Sequence, residues 1–263
     1  LHKYKNLNSV TVITLLTDLG AGSAELASLK GQICCIPSAV QVVDIYHQAD
    51  AQNYFAPAFL LRAYHRHFPK GSIHLISVDV YAASLHLLAV CEHRYFIAAD
   101  NGILPMALDG AQVNYYRLNP KAEVRSIPRD IYAPAINDLL QQQLNPEAVA
   151  IPFRHAVSLK WQQPYHLGDF VRITVLYNDE YGNAHTNLDR EWVETHMQGR
   201  KWKIKIGYND YLDAPALWST PPQSGYPYAR WSENEFLVIG IRGASIASIL
   251  GFKRNHDIMI EFD

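Results

Sequence analysis

From Val10 to Thr17 the chain reads VTVITLLT, a nearly continuous run of β-branched and aliphatic residues. Such a run predicts a strand covered on both faces, because a strand with one wet face alternates polar and apolar positions. GSAELASLKGQICCI follows, with Leu26, Leu29, Lys30 and Ile33 at helical spacing and Pro37 as the stop. VQVVDI predicts a second strand. APAFLLRAYHRHF then places Phe59, Leu60 and Ala63 on one helical face, with Pro57 close to the helix start, and GSIHLISVDV gives a third strand. Strand, helix, strand, helix, strand predicts a parallel sheet with right-handed crossovers.

After about residue 165 the period changes. In DFVRITVLYND the residues Val171, Ile173, Val175 and Tyr177 alternate with Arg172, Thr174 and Leu176, and KWKIKI and DIMIEF repeat that period of two. Alternating strands with few helices predict an antiparallel sheet or barrel. The expected organisation is an α/β domain over 9–155, a linker over 156–164, and a β-barrel domain over 165–263.

Composition excludes several classes. With 23 basic residues against 25 acidic ones, and no Lys/Arg run longer than two, the chain lacks the footprint of a nucleic-acid binder. No apolar segment approaches the ~20 residues that cross a bilayer, and no secretory signal is visible. Cys34, Cys35 and Cys91 lie in apolar runs without CxxC spacing, which fits buried thiols in a reducing cytoplasm. There is no HExxH, Walker loop or GxSxG, so no metal site and no P-loop or serine-hydrolase chemistry is expected.

In open parallel sheets, ligands bind beyond the carboxyl ends of the strands. Asp18 in LLTDLG, Asp44 in VVDI and Asp79 in SVDV sit at such ends, and Asp100 opens ADNG. Each alone reads as a turn or cap residue; together they point to a polar ligand. His65 and His67 in YHRHF read as imidazolium ions at a helix end. His47 reads equally as a turn residue or a cleft residue, and His185 as a residue of the surface or barrel rim. The stretch from Tyr208 to Trp231, with Tyr211, Trp218, Tyr226 and Tyr228, predicts a long aromatic loop, whose rings serve either a ligand or a subunit contact.

Five stretches in order resemble the S-adenosylmethionine hydroxide adenosyltransferases, relatives of the fluorinase and chlorinase: ITLLTDLG with LKGQICCIPSAVQVVDIYH, FPKGSIHLISVD, FIAADNGIL, YNDEYGNAHTNL, and WSENEFLVIGIRGASIASILG. The resemblance implies an α/β domain followed by an antiparallel β-barrel domain. It also implies a homotrimer with a nucleoside ligand at the subunit interface, and displacement of methionine from ribose C5′ by water or halide. S-adenosylmethionine would be substrate or ligand, with no other cofactor.

By the same resemblance, Asp18 grips the ribose, and Asn101 lies in the DNG segment of the binding site. Asn183 contacts the nucleoside, and Tyr181 replaces the usual phenylalanine beside it. Ser232 holds the methionine end, and Asp179 stabilises its own turn. Asp79 is the acidic member of an Asp-Arg-His set that activates water. The loop after it departs from P-G-V-G-T-x-R and reads VYAASLH, which puts His86 at the arginine position. FHGRD becomes SIPRD, with Ile127 at the histidine and Arg129 and Asp130 kept. Ser23 and Glu25 replace the Asp and Tyr that meet the amino-acid end, and the halide-contacting serine falls at Pro128. Three functions stay open: a hydrolase in which Asp79 orients water and His86 or Arg129 supplies the positive partner; a silent binder of adenosine or S-adenosylmethionine; and a transferase or lyase on another 5′-substituted adenosine.

Overall fold

The computed structural model describes residues 10–120, 123–197, 199–215 and 223–262. The chain divides into two compact units, Leu1–Lys160 and Trp161–Asp263.

In the first unit the elements run β1 (Thr11–Thr17), α1 (Ala24–Cys34), β2 (Val40–Tyr46), α2 (Phe55–Tyr64), β3 (Ile73–Ser77), β4 (His86–Cys91), β5 (Arg94–Ala99), α3 (Ile103–Ala107), β6 (Asn114–Leu118), a π-helical turn (Pro128–Tyr132), α4 (Ala133–Gln141) and β7 (Ile151–Phe153). Ser23 starts α1 by accepting the Leu26 amide on its hydroxyl at 3.1 Å, and Leu26, Leu29 and Ile33 bury one face of the helix. Pro57 falls in the first turn of α2, where its missing N–H is not needed. The buried face of α2 is Ala56, Ala58, Phe59 and Leu61, whereas Leu60 and Ala63 are half-buried. Helical spacing located the helix but misassigned part of its inner face.

The sheet order is β2-β1-β3-β5-β4-β6-β7. Pairing is parallel from β2 through β5 and antiparallel across β4, β6 and β7. The parallel sheet predicted from the first three strands is therefore one part of a mixed sheet. A two-residue turn is the reason: Glu92 and His93 both hold positive φ, 50° and 61°, and fold β4 directly back on β5. All five residues of β3 are buried, as a strand covered on both faces requires.

In the second unit the elements are β8 (Tyr165–Leu167), β9 (Phe170–Asn178), β10 (Ala184–Asp189), α5 (Arg190–Met197), β11 (Trp202–Lys205), β12 (Tyr211–Asp213), β13 (Pro227–Trp231), β14 (Phe236–Ile241), α6 (Ile246–Ile249) and β15 (Asp257–Phe262). An antiparallel sheet runs β12-β11-β15-β9-β10-β14-β13, with β8 beside β9. Its two edge strands, β12 and β13, lie next to one another, so the sheet is a nearly closed barrel. Val171, Ile173, Val175, Ile204, Leu237, Ile239, Ile258 and Ile260 fill its interior, on the alternation the sequence carries.

Cys91 is buried, but Cys34 and Cys35 are exposed, against expectation. Cys34 ends α1 and Cys35 caps it, past the buried stripe of the helix. His65 corrects a second reading: it is buried, and desolvation pushes its imidazole down to about 4, so it is neutral rather than an imidazolium. No helix among the described residues is long and apolar enough to cross a membrane.

Candidate functional site

At the carboxyl end of β1 the amide of Asp18 donates to the Ser77 carbonyl of β3 at 3.1 Å. Two residues beyond β3, Asp79 adopts φ +45°, a left-handed conformation that few non-glycine residues take. Its amide donates to Asp18 Oδ2 at 2.8 Å. The Tyr54 hydroxyl, at the start of α2, donates to Asp79 Oδ2. Asp79 pushes the Tyr54 phenol up to about 12. Burial pushes the Asp18 carboxyl up from its usual value, the Asp79 amide opposes that rise, and the charges of Asp79 and Glu25 add to it. Three acidic groups therefore share one basin.

The neighbouring residues hold this basin in shape. Buried Asn101 donates through Nδ2 to the Val78 carbonyl at 3.0 Å and accepts the Ile103 amide, tying the Asp79 turn to α3. His86 opens β4, buried, with Nδ1 2.9 Å from the Tyr132 hydroxyl. Burial lowers its pKa, so at pH 7 it is a neutral ring. Arg129 bonds Asp130 through two nitrogens, Nε at 2.8 Å and Nη2 at 3.2 Å. Asp130 also accepts the Arg125 and Ser126 amides at 2.8 Å, and the Arg129 guanidinium, ahead of these amides, holds its carboxyl well below the usual range. Ile127 is core hydrocarbon. Glu25 accepts from the Ser126 hydroxyl at 3.0 Å.

Two of the strand-end acids are structural. Asp44 pairs with Lys30 at 2.7 Å and His47 at 3.1 Å, and Asp100 accepts the Val157 amide at 2.8 Å. His47 is a turn residue: its ring meets the Thr17 hydroxyl at 3.0 Å and its carbonyl accepts the Gly20 amide at 2.7 Å.

In the second unit a loop joins β9 to β10. Asp179 builds it, its Oδ1 accepting the amides of Tyr181 at 3.0 Å and Asn183 at 2.9 Å. Gly182 takes φ +78°, and a Cβ there would lie 2.3 Å from the Ser245 hydroxyl. Asp179 Oδ2 accepts from Asn183 Nδ2 at 2.9 Å and meets His185 Nε2 at 3.1 Å. His185 is thus buried and stacked on Tyr177, not a rim residue. Asn183 Oδ1 accepts from the Tyr228 hydroxyl at 3.0 Å.

Beside this loop opens a cavity of about 900 Å³ whose wall includes Tyr181, Asn183, Tyr228, Trp231 and Ser232. Tyr181 is 83% exposed, its ring free to cover a ligand. The Ser232 hydroxyl accepts the Phe236 amide at 3.1 Å and keeps its own proton to donate. The stretch expected to be one long aromatic loop is in part sheet: Tyr211 lies in β12 and Tyr228 and Trp231 in β13, while Trp218 lies outside the described residues and Tyr208 and Tyr226 face solvent.

Sequence reasoning missed Tyr54 and left Tyr228 among undifferentiated aromatics. Nothing local marks Tyr54, since its partner is 25 residues away. For Tyr228 the signal was period two: in YARWS it shares a face with Arg230 and Ser232.

Two domains with this order, an acidic strand-end basin in the first and an Asp-Gly-Asn loop beside a cavity in the second, define a two-domain class of small-ligand protein. Residues 13–150 match the SAM hydroxide adenosyltransferase N-terminal domain and residues 173–259 the corresponding C-terminal domain, so the chain belongs to that family. It is 23% identical over 203 residues to the (R)-S-adenosyl-L-methionine hydrolase of Methanocaldococcus jannaschii, covering 72% of each chain. Its fold is similar to that of an uncharacterized conserved protein from Thermotoga maritima, at TM-score 0.79 and 22% identity over 94% of this chain and 99% of that one. A conserved hypothetical protein from Thermus thermophilus matches at TM-score 0.68 and 22% identity, over 97% and 100% of the two chains.

Proposed function

We propose that this protein binds S-adenosylmethionine and hydrolyses it to adenosine and methionine by attack of water at ribose C5′. The link between Asp79 and Asp18 across the ends of β3 and β1 carries the reading. One carboxylate would accept the ribose hydroxyls and the other the attacking water. The C5′–O bond forms as the C5′–S bond breaks. Its electron pair passes to sulfur, leaving neutral methionine, and the water proton passes to Asp79 and on to solvent. A sulfonium is already a good leaving group, so alignment of water and exclusion of competing solvent are the main tasks. An acidic basin also favours a cationic sulfonium over a halide nucleophile.

Asp79 is the proposed acceptor for water, and Asn101 holds its turn. Asn183, Tyr181 and Ser232 are proposed to hold the nucleoside and its tail. With His86 neutral, Arg129 is the one cation left at the family's positions, and its ion pair with Asp130 draws it away from the role of positive partner. The reading includes a homotrimer with the ligand at a subunit interface, in a reducing cytoplasm, as the resemblance and the free thiols imply.

A second reading, a binder without turnover, draws support from the Arg129–Asp130 ion pair, which engages the one guanidinium kept at the family's positions. Incubation with S-adenosylmethionine, followed by chromatography for adenosine and methionine, separates the two. Adenosine release that disappears in Asp79→Asn supports hydrolysis. Binding by calorimetry without release leaves the silent binder, and turnover only of another 5′-substituted adenosine supplied as substrate leaves a transferase or lyase.

A further inference from the structure

Tyr54 stands at the start of α2, and its setting is fixed locally. Asn53 Oδ1 accepts the amides of Phe55 at 3.1 Å and Ala56 at 3.3 Å, which sets where the helix begins. The Tyr54 carbonyl accepts the Ala58 amide at 3.2 Å and so ties the residue to the helix. From there its half-buried side chain crosses to the turn after β3, and its hydroxyl donates to Asp79 Oδ2. Among the described residues no other group bonds the Asp79 carboxylate.

The positions at which the resemblance puts partners for this carboxylate are turned elsewhere. His86 directs Nδ1 to the Tyr132 hydroxyl at 2.9 Å, and Ile127 is core hydrocarbon. Arg129 is held by Asp130, with Nε at 2.8 Å.

A carboxylate that takes a proton from water has to be ionised and has to point one oxygen at that water. Asp18 and Glu25 share the basin with Asp79, and like charges disfavour each other's ionised forms. A donor bonded to a carboxylate acts in the opposite direction and favours the charged form. The Tyr54 phenol suits this task. Its bond to Asp79, burial and the Asp79 charge push it up to about 12, so it stays a donor through neutral and mildly alkaline pH. With Oδ2 taken by the phenol, Oδ1 is the oxygen left for water.

We propose that Tyr54 is the positioning residue of Asp79, taking over in this chain the task of the arginine lost from the Asp-Arg-His set. The inference rests on the hydrolase reading above and adds to it a residue outside that set. Tyr54 acts through Asp79: the phenol keeps its own proton, and the water proton goes to Oδ1 and on to solvent. As a neutral donor it also leaves the negative charge of the basin in place for a cationic sulfonium.

Steady-state hydrolysis of S-adenosylmethionine by Tyr54→Phe, and by protein carrying a ring-fluorinated tyrosine at position 54, tests the proposal. Thermal melts verify that each protein folds. Tyr54→Phe is expected to lower kcat about tenfold or more and to change KM less than about twofold, because a bond to a charged group is lost and a ligand contact is not. The fluorinated phenol is more acidic, and a phenolate has no proton to donate. Turnover of that protein is expected to fall off at a lower pH than turnover of the wild-type chain. A raised KM with unchanged kcat in Tyr54→Phe, or the same alkaline limb in the fluorinated and wild-type proteins, overturns the proposal. If the wild-type chain releases no adenosine, the functional reading fails on its own. The fluorine resonance at position 54 then decides this inference. Ionisation of the phenol at a lower pH in Asp79→Asn than beside Asp79 upholds the hold of Tyr54 on that carboxylate, and ionisation at the same pH overturns it.

Discussion

The amide of Asp79 donates to the carboxylate of Asp18 at 2.8 Å from a backbone held at φ +45°. A non-glycine residue in that region costs about 1–3 kcal/mol and persists only where its surroundings over-determine it. Here the surroundings are Asp18, the Tyr54 hydroxyl and the Asn101 clamp on Val78. Strain is therefore held where two carboxylates converge.

Asp79→Gly removes both the strained Cβ and the carboxylate. Its thermal midpoint is expected to equal or exceed that of the wild-type chain, because glycine takes positive φ freely. Ligand turnover is expected to vanish. A midpoint several degrees lower would show that the Asp79 side chain stabilises the turn more than its backbone strains it.

Arg129 is bonded to Asp130 through the Nε–Nη2 edge of its guanidinium, whereas Tyr54 bonds Asp79 directly. Arg129→Gln is expected to change turnover less than about threefold. Tyr54→Phe should lower it about tenfold or more, as hydrogen bonds to charged groups are worth about 1.5–3 kcal/mol. Steady-state kinetics on the two variants in one assay checks this ordering, and the reverse ordering would return the positive partner to Arg129.

A Cβ added at Gly240 would meet Asn183 Oδ1 at 2.1 Å and the Tyr228 hydroxyl at 2.6 Å. Both atoms belong to the bond that holds Asn183 towards the cavity. Gly240→Ala is expected to cost about 1–3 kcal/mol in urea unfolding, as overpacking does, and to weaken adenosine binding. Unchanged binding would mean that Asn183 does not contact the ligand.

Two buried histidines make the first unit acid-sensitive. Burial pushes His65 down to about 4 and His74 to about 3, with Arg66 and Arg94 adding to the shift of His65 and Glu92 opposing it. His74 lies against Thr14, Tyr64, His65, Phe68 and Phe96. Both rings have folded pKa values below the unfolded value of about 6.5. Their contribution is complete above pH 6.5, where both states are neutral. It is lost as pH falls from 6.5 towards 4, because only the unfolded chain takes up protons there. The loss is up to about 1.4 kcal/mol per pH unit for each histidine. Urea midpoints measured between pH 4 and 8 check it, and a flat profile below 6.5 would refute it.

The alternation of strands and helices, the period of two after residue 165 and the acids at strand ends are local patterns, and burial stamps such patterns directly on the sequence. The Asp179 loop is equally local, since its bonds span two to six residues. The antiparallel half of the first sheet was not legible in the same way. It depends on a turn at Glu92–His93 with no glycine to announce it. Tertiary structure alone decided that Tyr54 reaches Asp79 across 25 residues and Tyr228 reaches Asn183 across 45. It also decided the neutral states of His65, His74 and His86. Hydrogen bonds between distant residues, and the desolvation that sets a charge state, come into being only once the chain has packed. No window of sequence contains them.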